Sequence, residues 1–281
     1  MNGLRIEKDT KLEPKVYLLP EGITFDSDNV TLDGQGATIL GMEKTGAGIK
    51  VSGRNNIVIK NLRLMNYYHG ISIKQSKGIE LENCRITSTA ELPSNTLFLD
   101  IWKPASEAYG AAIFLDGVTD TKIHDNDLQH QMNGILSYHC KNLDVMNNIT
   151  NYCSGFGFHL YETCDSTFAD NYADYCCRYY LSDSGSHLGA DAAGFLIVQG
   201  SSRNVLNFSH TLDRACPDGD TRAVEGFRAR LRLRDRCCVV YREILHHTRH
   251  PRAQTLRHIS KLLLSLLDLC GELEQTHRYR S

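Results

Sequence analysis

The chain lacks any run of roughly 18 apolar residues, so no segment of it reads as a membrane-spanning helix. Its first stretch, MNGLRIEKDTKLE, has no apolar h-region, so no signal peptide is expected. The expectation that follows is a cytoplasmic protein. None of the ten cysteines falls in a C-x-x-C pair, which excludes standard structural zinc spacing. Without an export signal they are expected to be small buried packing residues, Cys153 over Cys176 and likewise Cys140 and Cys164; a disulfide would need an oxidising compartment. No Walker or dinucleotide fingerprint occurs, and no G-G-x-G-x-D repeat supports a calcium β-roll. The stretch DSDNVTLDG (26–34) has the acidic look of a calcium loop but no closing Glu, and reads as coil turns. No metal site is assigned; calcium stays open as a cofactor without a specific motif. Asn29 and Asn148 begin N-x-T sequons by pattern only.

Asparagine is also missing, but only from one end. Residues 1–207 contain 17 Asn and residues 208–281 none. Charge breaks near the same point. The net charge of −2 combines a balance of −8 over residues 1–202 with +6 over residues 203–281, where Arg replaces Lys. Such a break marks a boundary within the chain.

What the first part has in abundance is a repeat. GILSYHCKNLDVMNNITNYCSGF runs into GFHLYETCDSTFADNYADYCC, two versions of one pattern. A small residue followed by alternating apolar positions starts units at Gly48, Gly70, Ala112, Gly134, Gly157 and Gly194. An asparagine follows each start by 13 or 14 positions: Asn61, Asn83, Asn126, Asn148, Asn171 and Asn207. The pairs Ile49/Val51, Ile71/Ile73, Ile113/Leu115, Phe158/Leu160 and Phe195/Ile197 alternate with period two and should point inward. A second apolar site recurs at Ile57, Ile79, Ile123, Val145 and Phe168. Units this short suit one winding of a parallel β-helix, with windings about 4.8 Å apart. Stacked asparagines, each with donors and an acceptor, would then bond winding to winding.

These units, with EGITFDSDNVTLDGQGATILG (21–41) as an apparent first coil, resemble the right-handed parallel β-helix repeat of the pectate-lyase-like superfamily, including its carbohydrate-binding and sugar-hydrolase modules. The resemblance covers roughly residues 16–207; the last 70 or so residues do not match. It implies an all-β fold, a right-handed single-stranded parallel β-helix, and a polysaccharide or oligosaccharide as partner. It does not choose an activity, because the fold hosts lyases, hydrolases, epimerases and non-enzymes.

Two connections are far longer than the rest. Asn83 to Ala112 and Asn171 to Gly194 carry STAELPSNTLFLDIWKPASEAYG and RYYLSDSGSHLGADAA. Both leave from the same corner, so both should project from the same edge. The strands between them place Phe114, Leu136 and His159 in one outward row and Asp116, Tyr138 and Tyr161 in the next. Gly117, His139 and Glu162 follow at the turn. A two-walled trough results, with Trp102, Lys103 and Tyr109 in one wall and Arg178, Tyr180 and His187 in the other. An aromatic platform beside polar groups suits a sugar ring. The alternative is that the insertions fold down onto Phe114 and Leu136 to hide them.

The inventory allows several chemistries. Asp116 and Glu162, two coils apart, have backbones roughly 10 Å from each other and could flank a glycosidic bond. Elimination or C5-epimerisation of a uronate needs a base, an acid and a cation, roles that His159, Tyr138, Tyr161 and Arg178 or Lys103 can fill. Trp102, Lys103, Tyr109, Phe114, His139, Tyr180 and His187 are the expected substrate contacts. A lyase or epimerase acting on an acidic glycan is favoured; a non-catalytic binding or scaffold solenoid is the alternative.

The tail, 208–281, does not rhyme with the rest. Leu256, Ile259, Leu263, Leu266, Cys270 and Leu273 form an apolar stripe that predicts a helix over 254–275. The tail reads as a cap on the last coil, as a basic arm, or as a shifted reading frame. Interspersed acids and few aromatics argue against nucleic acid. His246, His247 and His250 beside Cys237 and Cys238 fit no standard metal spacing.

Overall fold

The computed structural model describes residues 3–96, 99–176, 178–181, 187–190, 192–207, 230–232 and 239–240. The helix expected over 254–275 lies outside them. Through residue 207 the chain winds as a parallel β-solenoid with three sheets. The first stacks Gly3–Ile6, Gly22–Phe25, Ala47–Ser52, His69–Lys74, Ala111–Asp116, Asn133–Tyr138, Phe156–Tyr161 and Ala193–Val198 in that order. The second runs alongside from Thr10–Lys11 to Val205–Asn207, and a four-stranded third sheet closes the early windings. The stretch 21–41 is therefore the second winding, since Gly3–Ile6, Thr10–Lys11 and Val16–Leu18 already form one before it.

The alternation places the core as expected. Ile49, Val51, Ile71, Ile73, Ile113, Leu115, Phe158, Leu160, Phe195 and Ile197 are buried together with Ile57, Ile79, Ile123, Val145 and Phe168 in one continuous cluster. Glycine at the strand start has a steric reason. A Cβ on Gly70 would lie 2.2 Å from Ile86 Cγ2, and one on Gly134 2.5 Å from Thr150 Cγ2.

The six repeated asparagines are not one ladder. Strand pairing aligns Glu82 with His124 and Met146 with Ala169, so Asn126, Asn148 and Asn171 stack in one column whose earlier members are Leu62 and Cys84. Asn61 and Asn83 sit one position earlier, with Asp125, Asn147 and Asp170, and Asn207 aligns with Ala169 in a strand. The offsets of 13 and 14 conceal a one-residue slip, which moves a side chain to the other face. The inner column is buried and fully bonded: Asn126 Nδ2 donates to Asn148 Oδ1 at 2.8 Å, and Asn148 Nδ2 to Asn171 Oδ1 at 3.0 Å. The outer column takes left-handed backbone, with φ of 58° at Asn61, 48° at Asn83, 59° at Asp125, 54° at Asn147 and 53° at Asp170. Asn and Asp tolerate that conformation best among residues with a Cβ.

At the far end, Arg230–Arg232 pairs antiparallel with Val205–Asn207, and Val239–Val240 with Ala193–Val198. Among the described residues no helix is long and apolar enough to cross a membrane.

Candidate functional site

The outer face of the first sheet carries the candidate residues, and strand pairing puts them in register. Phe114 neighbours Leu136 and Leu136 neighbours His159; Asp116 neighbours Tyr138 and Tyr138 neighbours Tyr161. The rows exist, but among the described residues no open trough lies above them. The first insertion folds down across these strands. Phe114, Leu136 and Tyr138 pack with Ala105, Ala108 and Ala111, while Leu99, Leu92 and Ile101 pack with Met132, Phe156, Ala193 and Leu196. Phe114, Leu136, Tyr138 and His159 are consequently buried. Apolar side chains at outward positions of a solenoid need cover, and the insertion supplies it.

Burial changes what these groups can do. His159 is enclosed by Tyr138, Phe156 and its strand neighbours Leu136 and Leu196, and desolvation pushes its pKa down to about 3. It is neutral at neutral pH, and its Nε2 has no hydrogen-bond partner. Burial raises the Tyr138 hydroxyl well above its ordinary pKa, helped by Tyr161. Arg178 is not a free cation facing substrate. Its Nε donates to Thr96 O at 2.7 Å, its Nη2 to Leu92 O at 2.9 Å and also to Pro93 O, and its Nη1 to Ser154 O at 3.4 Å. A guanidinium fork suits this task because it can serve several carbonyls at once. Arg178, at the start of the second insertion, thus ties down the first. At Arg178 the second insertion meets the first.

Three expected groups remain accessible and form a connected unit. His139 Nδ1 lies 2.9 Å from Asp116 Oδ1, and His139 Nε2 lies 3.6 Å from Glu162 Oε2. Asp116, His139 and Glu162 belong to three successive windings, and the imidazole fills the space between the two carboxylates. That space is where a sugar placed for paired-carboxylate hydrolysis would have to sit. His139 and Glu162 adopt φ of 52° and 48°, a strained choice for such side chains. The Tyr161 ring flanks His139 at 6.0 Å and stacks on Tyr138 at 5.0 Å.

The remaining expected contacts are dispersed. Trp102 is 52% exposed on the first insertion, its backbone N–H donating to Asp100 Oδ1 at 2.9 Å. Lys103 lies 5.0 Å from the Tyr109 ring centre and 3.9 Å from Glu107 Oε2. Tyr180 and His187 lie in the hairpin of Arg178–Leu181 with His187–Ala190, and their side chains are outside the described part.

One feature escaped the sequence reading. A groove of about 400 Å³ opens over Ala47–Ser52 and His69–Lys74, lined by Lys50, Ser72, Lys74, Tyr68 and His69 among others. Lys74 has no carboxylate partner among the described residues and lies 5.5 Å from the Phe114 ring centre. Lys50 donates to Glu21 O at 2.9 Å. Burial, with Lys74 nearby, pushes His69 down to about 3. The only earlier signal was the outward alternation of Lys50 and Lys74, which lies outside the span between the insertions. Among the described residues, no group of three or more His, Cys, Asp or Glu is arranged to hold a metal ion.

The family described as "Right handed beta helix region" matches residues 21–210. No curated protein matches the chain. Among solved structures, DFA-IIIase from Arthrobacter chlorophenolicus A6 is similar in two complexes. The mutant bound to DFA-III is 14% identical, with a TM-score of 0.50, over 69% of this chain and 42% of that one. The complex with GF2 is 15% identical, with a TM-score of 0.50, over 71% of this chain and 44% of that one. A pectate lyase from Bacillus sp. N165, bound to trigalacturonate, is 15% identical over 74% of this chain and 79% of that one, with a TM-score of 0.37. This chain spans less than half the length of DFA-IIIase, and at these identities the likeness is one of fold.

Proposed function

We propose that this chain, which belongs to the right-handed β-helix family, binds an acidic oligo- or polysaccharide across the outer face of its first sheet and modifies it there. One juxtaposition carries the reading. The Asp116–His139–Glu162 chain stands next to a groove floored by Lys50 and Lys74, with Lys74 and Asp116 on paired positions of adjacent strands. DFA-IIIase, similar in fold, holds DFA-III in one complex and GF2 in another.

The chemistry that fits is proton abstraction next to a carboxylate. With its Nδ1–H given to Asp116, His139 carries its lone pair on Nε2, which would serve as the base once Glu162, 3.6 Å away, yields its place to substrate. Lysine ammonium groups in the groove would hold the uronate carboxylate and favour the charge that develops as the C5 proton leaves. The proton passes to His139. In elimination the C4–O bond breaks and its oxygen takes a proton, a role open to Tyr161; in epimerisation His139 keeps the abstracted proton and a second group, a role again open to Tyr161, gives its own proton to the opposite face of C5. Arg178, buried and engaged with carbonyls of the first insertion, is positioned for structure, and His159 lies buried beneath that insertion. Their withdrawal favours one second reading, a non-catalytic carbohydrate-binding solenoid built on residues 1–207.

The test is incubation with polygalacturonate, alginate and a neutral fructan. Growth of ultraviolet absorbance from an unsaturated uronate supports elimination, and an NMR change at C5 without cleavage supports epimerisation. Binding without either supports the second reading. Absence of binding to all three removes both.

A further inference from the structure

The rings beneath the first insertion form an unbroken row across the sheet. His69 stacks on Phe114 with centroids 4.6 Å apart and planes 17° from parallel. Phe114 meets Tyr138 at 5.9 Å, and Tyr138 meets His159 at 5.8 Å and Tyr161 at 5.0 Å. These residues belong to four successive strands, so the row crosses the sheet from strand to strand.

The row holds two imidazole nitrogens with no partner, His69 Nδ1 and His159 Nε2, both inaccessible to water. A buried polar atom left unbonded destabilises the state that leaves it so. The cover over the row brings Ala105 and Ala108 onto Phe114 and Tyr138, and Leu99, Ile101 and Tyr109 onto the side of Phe156 and Leu196. Several of the ties that hold this cover end on backbone carbonyls. The Tyr68 hydroxyl donates to Ala108 O at 2.9 Å on one margin, and Arg178 bonds the carbonyls of Leu92, Pro93 and Thr96 on the other. His69, the first ring of the row, also lines the open groove. The row is thus the groove continued under a cover.

We propose that residues 99–110 are a displaceable cover over an oligosaccharide-binding row, and that His69 and His159 hydrogen-bond sugar hydroxyls when the cover lifts. The proposal rests on the glycan reading above and names where a longer chain goes. Aromatic faces suit the apolar face of a pyranose, and a neutral imidazole offers one donor and one acceptor to its rim. Burial keeps both imidazoles neutral, so they read hydroxyls and leave carboxylates to Lys50 and Lys74.

Trp102, the single tryptophan, sits on this cover and is exposed, so its emission reports cover movement directly. The full chain and a Tyr68→Phe variant are titrated with trigalacturonate, alginate oligosaccharides and GF2, with thermal unfolding to confirm that each is folded. The expected result is a saturable change in Trp102 emission, with roughly fivefold tighter binding by Tyr68→Phe, because a loosened cover enlarges the competent fraction. His159→Phe, which keeps the ring and removes the nitrogen, should weaken binding about fivefold. Sugar binding with unchanged Trp102 emission, and equal affinity in all three proteins, overturns the cover and leaves the glycan reading intact. No binding by any protein, Tyr68→Phe included, overturns the glycan reading, and the cover falls with it.

Discussion

The imidazole of His139 stands between successive windings with Nδ1 2.9 Å from the Asp116 carboxylate, on a backbone held at φ 52°. A left-handed histidine costs on the order of 1 kcal/mol, and the carboxylate contact helps offset it. If His139 is the base, Asp116→Asn should lower turnover of a uronan by about 10²- to 10⁴-fold. The double variant with His139→Ala should be little worse than either single one, since the two act as a unit. Initial rates, with melting curves to confirm folding, would decide it; additive losses would count against the pair.

Acid should unfold this protein early, through buried His159 and half-buried His69. His69 and His159 have folded pKa values near 3, below the roughly 6.5 of an unfolded histidine. Below about pH 6.5 the unfolded chain takes up protons that the folded one refuses, so stability falls as pH drops. Two such groups give a slope approaching about 2.7 kcal/mol per pH unit, and His159→Phe should roughly halve it. Urea unfolding at several pH values between about 5 and 6.5 would measure the slope.

The two asparagine columns should behave differently on mutation. Asn148 donates to Ile123 O, Met146 O and Asn171 Oδ1, and accepts from Asn126. Asn148→Ala leaves several buried backbone groups unpaired and should cost about 3 kcal/mol or more. Asn83→Ala loses one exposed bond to Asn61 and a favourable left-handed residue, a cost of about 1 kcal/mol. Equal losses by chemical denaturation would contradict the assignment of separate columns.

Arg178→Lys should destabilise by about 2–4 kcal/mol despite keeping the charge, because an ammonium cannot reach carbonyls at Leu92, Pro93, Thr96 and Ser154 together. Hydrogen exchange localised to residues 92–96 would show whether the loss falls where the fork is anchored.

Thiol labelling should be ordered by burial. Desolvation pushes Cys84 and Cys140 up to about 12 and raises Cys153 as well, whereas Cys164 is only half-buried. Among the described cysteines, Cys164 should alkylate first under native conditions, with the others reacting only on unfolding. Peptide mapping after a short pulse of iodoacetamide reads this order.

Much of the fold was legible because a solenoid is local. Each inward pair, such as Ile71/Ile73 or Phe158/Leu160, needs only its own alternation and the winding next door, so the period declares the core. The offset between Asn83 and Asn126 was not legible. A one-residue change in a turn leaves the repeat length almost intact, and only strand pairing reveals that Cys84 is the true neighbour of Asn126. Long insertions obey no period, so their direction could not be read from spacing.

Order along the chain by itself determined the parallel stacking, the buried stripes and the rows Phe114–Leu136–His159 and Asp116–Tyr138–Tyr161, because hydrogen bonding between windings converts a sequence period into vertical neighbours. Only the tertiary structure decided which of those rows meets solvent. The insertion had outward apolar side chains to hide and Arg178 to hold it down. It therefore closed over His159 and Tyr138, and left Asp116, His139 and Glu162 at its edge and Lys50 and Lys74 in the open groove beyond it.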